Sequence, residues 1–223
     1  MATTKNARAK KNTINDDHII ESYMNDVLED NQEPKNVFVF CKKHKIEESD
    51  FYSFFASIDS IKQAIWVKFF ENAVASIEKE AAFETYSDKN KLLTLYFTLF
   101  EILTLNRSYI LFSLKENKEG LKNLKNLKEF RNRFKQYIVD VIKSKPSEPF
   151  GKVAKVTEPV FSEGAWLQFL FLLKFWMDDT SKGFEKTDVF IEKSVNTVVD
   201  LLDTKPLESL FDLGKFLWKE KMQ

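Results

Sequence analysis

The sequence predicts an all-α fold, and three observations carry that prediction. Helix breakers are scarce: five Gly and five Pro in 223 residues fall at gaps between apolar-periodic runs. Those runs are rich in Lys, Glu and Leu and repeat apolar residues at three- and four-residue spacing, the period of a helix. Residues 37–55, Val-Phe-Val-Phe-Cys-Lys-Lys-His-Lys-Ile-Glu-Glu-Ser-Asp-Phe-Tyr-Ser-Phe-Phe, read as two short helices around a tight turn.

Residues 1–15 are polar and basic, with Lys5, Arg8, Lys10 and Lys11, and are expected to form a mobile arm. Asp16 or Asp17 can cap a first helix to about residue 30, whose apolar face is Ile19, Ile20, Tyr23, Met24, Val27 and Leu28. Pro34 suits the first turn of a second helix ending near His44. In this pair Val37, Phe40 and Cys41 line one face, Ile46 seals the turn, and a third helix over about 47–56 is anchored by Phe51, Tyr52, Phe54 and Phe55. Ser57 or Asp59 starts a long fourth helix expected to reach about residue 86. A fifth, apolar nearly all round, begins at Asp88 and is expected at the centre of a helical body. A sixth follows Gly120 and runs to about residue 144. The stretch 145–151 is the clearest loop. Helices over about 162–177 and 187–203 come next, then Pro206 and an amphipathic last helix to about residue 222. No internal repeat is present. The domain boundaries are an arm at 1–15, a head at 16–57 and a body at 58–223.

Composition excludes several classes. Basic and acidic residues balance at 34 each, with a pI near 6.8, so no global field draws the chain to nucleic acid. The single cysteine, Cys41, rules out an internal disulfide and fits a reducing compartment. The first fifteen residues hold no apolar stretch of a signal peptide, and no uncharged apolar run is long enough to span a membrane. The expected location is the cytoplasm. His18 and His44 stand apart, no His, Cys and carboxylate spacing suits a metal, and no Gly-rich phosphate loop occurs. No enzymatic activity, metal or cofactor is expected.

A three-helix head joined through a long fourth helix to an all-helical body resembles the TetR family of one-component repressors. The head carries the resemblance: a turn, small or polar residues, then the closing aromatics of Phe51-Tyr52-Ser53-Phe54-Phe55. The resemblance implies a homodimer whose last two long helices pair, a body holding a small apolar ligand, and a head that places its second turn helix in the major groove of operator DNA. Lys35, Lys42, Lys43 and Lys45, with the basic arm, could anchor phosphates, and Ser49 and Tyr52 face the groove. The departure is acidic. Glu47, Glu48 and Asp50 stand where such helices usually offer hydroxyl or basic side chains. Residues 1–60 carry eight basic groups (Lys5, Arg8, Lys10, Lys11, Lys35, Lys42, Lys43, Lys45) against eleven carboxylates. The structural alternative is that carboxylates near a helix N-terminus stabilise its dipole and cap free N–H groups.

A second segment, 179–195, Asp-Thr-Ser-Lys-Gly-Phe-Glu-Lys-Thr-Asp-Val-Phe-Ile-Glu-Lys-Ser-Val, resembles the Asp-x-Ser-x-x-Phe-Glu-x-Thr-x-x-Phe-Leu-Glu stretch of lipid-binding accessory proteins of coenzyme Q biosynthesis. Those have a TetR-like fold, do not repress transcription and hold isoprenoid lipid. The resemblance implies a non-enzymatic lipid-binding protein that has lost DNA binding. Read from residues alone, Asp179 or Ser181 ends one helix and Thr187 caps the next.

Twenty-two Phe residues either line a ligand cavity or build a Phe-rich core. The cavity is expected among Trp66, Phe69, Phe70, Tyr96, Phe97, Phe100 and Phe112. Trp166, Phe169, Leu170, Leu173, Phe175 and Trp176, with Val195, Val198, Val199 and Leu202, are expected to pack the dimer seam. Residues 207–222 place Leu207, Leu210, Phe211, Leu217 and Trp218 on one stripe beside lysines, which fits either peripheral membrane contact or packing onto the body. The basic run from Lys118 to Lys135 reads as a solvated face or as a phosphate or anionic-lipid surface.

Overall fold

The computed structural model describes residues 14–115, 125–143 and 149–202, and every regular element in them is helical. The all-α expectation holds. Asn15, not Asp16 or Asp17, caps α1 (Asp16–Asp30): its side chain accepts from the His18 N–H at 2.8 Å. Asn36 does the same for α2 (Val37–His44), accepting from the Val39 N–H at 2.9 Å. Asn is among the strongest N-cap residues because its short carbonyl reaches a free amide of the first turn. Lys45 then takes a left-handed conformation, which turns the chain so that Ile46 is buried ahead of α3 (Glu48–Tyr52).

The third helix is shorter than expected. The Ser53 hydroxyl donates to the carbonyls of Ser49 and Asp50, both at 2.9 Å, and the Phe54 N–H bonds back to Phe51 in a tighter turn. Such side-chain bonds compete with helix continuation. Phe40, Phe51 and Phe55 close the head with Tyr23, their rings meeting at 6.0 to 6.5 Å.

A reciprocal capping box of Ser57 and Ser60 begins α4 (Ile58–Ile77). That helix stops nine residues short of the expected end near 86, and a 3₁₀ turn at Phe83–Thr85 tucks Phe83 into the core. Ser87 caps α5 (Asp88–Leu105), and a break at Asn106 separates α6 (Arg107–Lys115), an element the sequence reading did not separate. The body continues with α7 (Lys128–Lys143), α8 (Pro149–Asp178), a 3₁₀ turn at Lys182–Phe184 and α9 (Glu185–Leu202). The eighth helix begins at Pro149 instead of near 162, because proline's fixed φ suits a helix start as well as a loop. Residues 1–13, Gly120 and the expected helix at 207–222 lie outside the described residues.

In the body, α4, α5, α7 and α8 pack around a continuous aromatic centre. Trp66 stacks on Phe130 at 6.0 Å and 18°, Trp166 stacks on Phe169 at 5.3 Å and 27°, and Phe130 meets Phe169 edge-on at 5.0 Å. Offset and edge-on ring pairs of this kind add about 0.5–1.5 kcal/mol each beyond their buried area. Against this centre α9 packs across α5 and α8.

Head and body are joined at several points, among them the ion pair of Lys62 in α4 with Glu33 at 2.6 Å. Lys68 of α4 pairs with Asp16 and Asp17 at 2.8 Å each. Tyr109 of α6 meets Tyr23 of α1 edge-on, centroids 6.4 Å apart.

Candidate functional site

The first candidate is the outer face of the head. Lys35, Lys42, Lys45, Ser49 and Tyr52 are all exposed there. Lys43 is exposed too, yet its ammonium lies 2.8 Å from Asp26 and 2.8 Å from Asp30. Those hydrogen bonds to Asp26 and Asp30 raise its pKa, and its charge is already matched within the head. Glu47, Glu48 and Asp50 are exposed beside Ser49. Glu47, at the N-cap, makes no side-chain cap hydrogen bond, whereas Glu48 and Asp50 stand in the first turn of α3, where carboxylates favour the helix dipole as the structural alternative has it.

The second candidate lies in the body. A cavity of about 330 Å³ opens between α5 and the α8–α9 turn, lined by Phe97, Phe100, Glu101, Thr104, Leu105, Trp176, Gly183, Phe184, Thr187 and Asp188. The fifth helix supplies one wall as a stripe, Phe97, Glu101 and Leu105, spaced four residues apart, with Leu105 80% exposed at the mouth. The turn supplies the other. Asp179 organises it: one carboxylate oxygen accepts from the Ser181 N–H at 2.8 Å and the Ser181 hydroxyl at 2.6 Å, the other from the Thr187 N–H at 3.0 Å and its hydroxyl at 2.6 Å. Burial pushes the Asp179 pKa up, but these four bonds to the charged form outweigh it and hold it well below the usual carboxylate range. The expected role of Asp179 and Ser181 at the helix end holds; Thr187 is not the expected cap, because it lies inside α9 and itself donates to Asp179.

Between those anchors Gly183 and Phe184 both take positive φ, 63° and 62°. Glycine does so without strain, whereas a bulky residue does so only where its surroundings hold it. Two contacts hold Phe184: the Arg107 guanidinium 4.5 Å from its ring and Trp176 at 6.1 Å. Arg107 also lies 4.4 Å from the Trp176 ring and donates to the carbonyls of Trp176 and Met177 at 2.8 and 3.0 Å. These carbonyls lie in the last turn of α8, where a cation is best placed to satisfy them. The Trp176 N–H donates to Thr104 at 3.1 Å, tying the turn to α5.

Only part of the expected ligand set meets in one place. Phe97 and Phe100 line this cavity. Phe70 borders a separate, shallower groove of about 340 Å³ with Glu71, Val74, Arg133 and Tyr137. Trp66, Phe69 and Tyr96 are buried in the aromatic centre, and Phe112 packs half-buried against it. The Tyr96 hydroxyl is satisfied by the Ala165 carbonyl at 3.2 Å, and burial raises its pKa. For these residues the Phe-rich core is the observed alternative. Sequence reading missed Glu101, Thr104, Leu105, Gly183, Phe184 and Asp188. The four-residue spacing of Phe97, Glu101 and Leu105 was the available signal.

The expected dimer seam requires correction. Trp166, Phe169, Leu170, Leu173, Trp176 and Val195 are all buried inside the single chain, and Trp176 is a cavity wall. Val198 and Val199 are half-buried against the same core, and the Leu202 side chain lies outside the described residues. The outward face of α8 and α9 instead carries Leu167, Phe171, Phe175 and Val189, exposed by 54, 69, 38 and 48%. Of the residues expected at the seam, Phe175 belongs to this face, where it packs on Phe190 at 4.7 Å. Among the described residues, no group of three or more His, Cys, Asp or Glu is placed to hold a metal, and no helix is long and apolar enough to cross a membrane.

Comparison with curated proteins finds no match. A family model described as "Tetracyclin repressor-like, C-terminal domain" matches residues 91–217. That span covers more than half of the chain, including the cavity, Arg107 and the whole α8–α9 pair, and begins beyond the head. Together with the all-helical body and the helix-turn-helix head, the match places this chain in the TetR-like family.

Proposed function

We propose that the protein is a homodimeric, ligand-responsive DNA-binding transcriptional regulator of the cytoplasm, with no enzymatic activity. The observation that supports this reading most is the continuity between cavity and head. Arg107, at the start of α6, touches two cavity walls, Trp176 and Phe184, and Tyr109, two residues on, touches Tyr23 of α1. A ligand that displaces those walls acts on the helix that contacts the head. In a dimer, a small rotation of each head changes the distance between two recognition helices, and with it the fit to half-sites about one helical turn apart. Leu167, Phe171, Phe175 and Val189 would form the dimer seam, since an apolar face of this kind is where two copies can bury surface. Lys35, Lys42 and Lys45 would contact phosphates while Ser49 and Tyr52 face the groove.

A second reading is favoured by one specific observation: Glu47, Glu48 and Asp50 are exposed on the face that would meet DNA, and Lys43 is neutralised within the head. On that reading the protein is a lipid-binding accessory protein that kept the scaffold and lost the operator, with 207–222 as a peripheral membrane contact. Gel shifts of genomic fragments at two ionic strengths separate the two. A regulator binds at low salt with an affinity that falls steeply as salt rises. No shift at low salt, with lipid co-purifying in a native mass spectrum, selects the second reading.

A further inference from the structure

Resting on the ligand-cavity reading, we propose that the cavity between α5 and the α8–α9 turn takes an organic cation, an aryl or alkyl ammonium whose charge sits between Glu101 and Asp188 and whose apolar part contacts Phe97, Phe100, Trp176 and Phe184. The two carboxylates enter from opposite walls, Glu101 from α5 and Asp188 from α9. No basic side chain is among the described residues that line the cavity. Neither carboxylate has an ion-pair partner among the described residues, although carboxylates elsewhere on the body, such as Glu163 with Arg131 and Lys135, are paired.

The negative charge at this end is concentrated. Asp188 has its pKa raised by burial first and then by its neighbours Asp179 and Glu185, so its ionised form lacks compensation. The rings are of the kind that hold positive charge, because aromatic faces attract cations to within about 6 Å. Two of them already do so: Arg107 lies 4.4 and 4.5 Å from Trp176 and Phe184. Arg107 is fixed there by α8 carbonyls and leaves Glu101 and Asp188 unmatched. A neutral lipid would use the rings alone, and an anion would be repelled by the carboxylates.

Titration calorimetry on the full-length protein tests this with two molecules of nearly one shape, phenyltrimethylammonium and its neutral isostere tert-butylbenzene. The cation is expected to bind at least about tenfold more tightly than the isostere. In Glu101→Gln/Asp188→Asn that preference should fall below about threefold while the isostere binds as before. Leu105→Lys, which tethers an ammonium at the mouth, gives an independent variant and should weaken the cation alone. Equal binding of the two molecules by the native protein overturns the cation assignment and leaves a ligand cavity standing. Binding of neither at millimolar concentration overturns both the assignment and the use of this cavity for ligand. A preference that survives in both variants overturns the role of these carboxylates.

Discussion

Tyr109 and Tyr23 meet edge-on, with ring centroids 6.4 Å apart and planes at 75°, and this pair locks the helix that begins at the cavity onto the first helix of the head. Both rings are buried, at 1% exposure each. Truncating Tyr109 to alanine should cost about 3 kcal/mol of stability by leaving a ring-sized void. Tyr109→Leu is the more informative change. It keeps apolar volume but loses the ring geometry, so DNA and ligand should each still bind while the effect of one on the other shrinks several-fold. Affinity for a DNA duplex, measured with and without ligand, reads that coupling directly.

The outward stripe of α8 and α9 makes a prediction about assembly. Phe171→Glu should give a folded monomer by native mass spectrometry, because Phe171 is 69% exposed and most of its surface already faces solvent. Phe169→Glu, two positions away and fully buried against Phe130 and Trp166, should fail to fold, since an unpaired carboxylate in an aromatic centre is not tolerated. If instead Phe171→Glu stays dimeric, the seam lies elsewhere.

That contrast marks what could be read from the sequence and what could not. Helix positions followed from periodicity: the face of α1 formed by Ile19, Ile20, Tyr23 and Val27 is buried as expected, and Ile46 seals its turn. Residues 165–176 are apolar nearly all round, however, so spacing alone could not separate the side facing the core from the side facing a partner. Trp166 and Trp176, which such spacing allows on either side, point inward. The third helix was read too long because Phe54 and Phe55 fit a helical stripe, and periodicity does not register a serine hydroxyl that bonds back to Ser49 and Asp50. The cavity was half legible. Phe97 and Phe100 belong to it, whereas Phe184 enters from a turn whose left-handed backbone no helical pattern reveals.

Acid should loosen the α8–α9 turn. Asp179 has a folded pKa below its ordinary 3.8, so the unfolded chain takes up its proton first. The contribution is therefore fully present above about pH 5 and is lost as pH falls through 3.8 towards the folded value. Asp188 has the opposite sign: its raised pKa means that ionising it costs stability as pH rises past 3.8. Urea midpoints at pH 7 should accordingly fall for Asp179→Asn and rise slightly for Asp188→Asn. The difference between native protein and Asp179→Asn should narrow at pH 3.

The lysines of the head should separate by partner. Lys42→Ala and Lys45→Ala remove exposed charges without an ion-pair partner among the described residues. Each should weaken DNA binding evenly across sequences and reduce the salt slope by about one. Lys43→Ala removes a charge already held by Asp26 and Asp30, so it should leave the slope almost unchanged and lower the melting temperature of the head. Binding isotherms at four salt concentrations distinguish these outcomes.

The most direct measurement is a selection of genomic fragments by the full-length protein at low ionic strength, followed by sequencing of what is retained. A dimeric regulator is expected to enrich a small set of sites built as inverted repeats, with half-sites centred about one helical turn apart. Enrichment lost in Phe171→Glu would tie the sites to the α8–α9 seam. Retention of no fragment above background, with exposed Glu47, Glu48 and Asp50 repelling every duplex offered, would contradict a role in transcription.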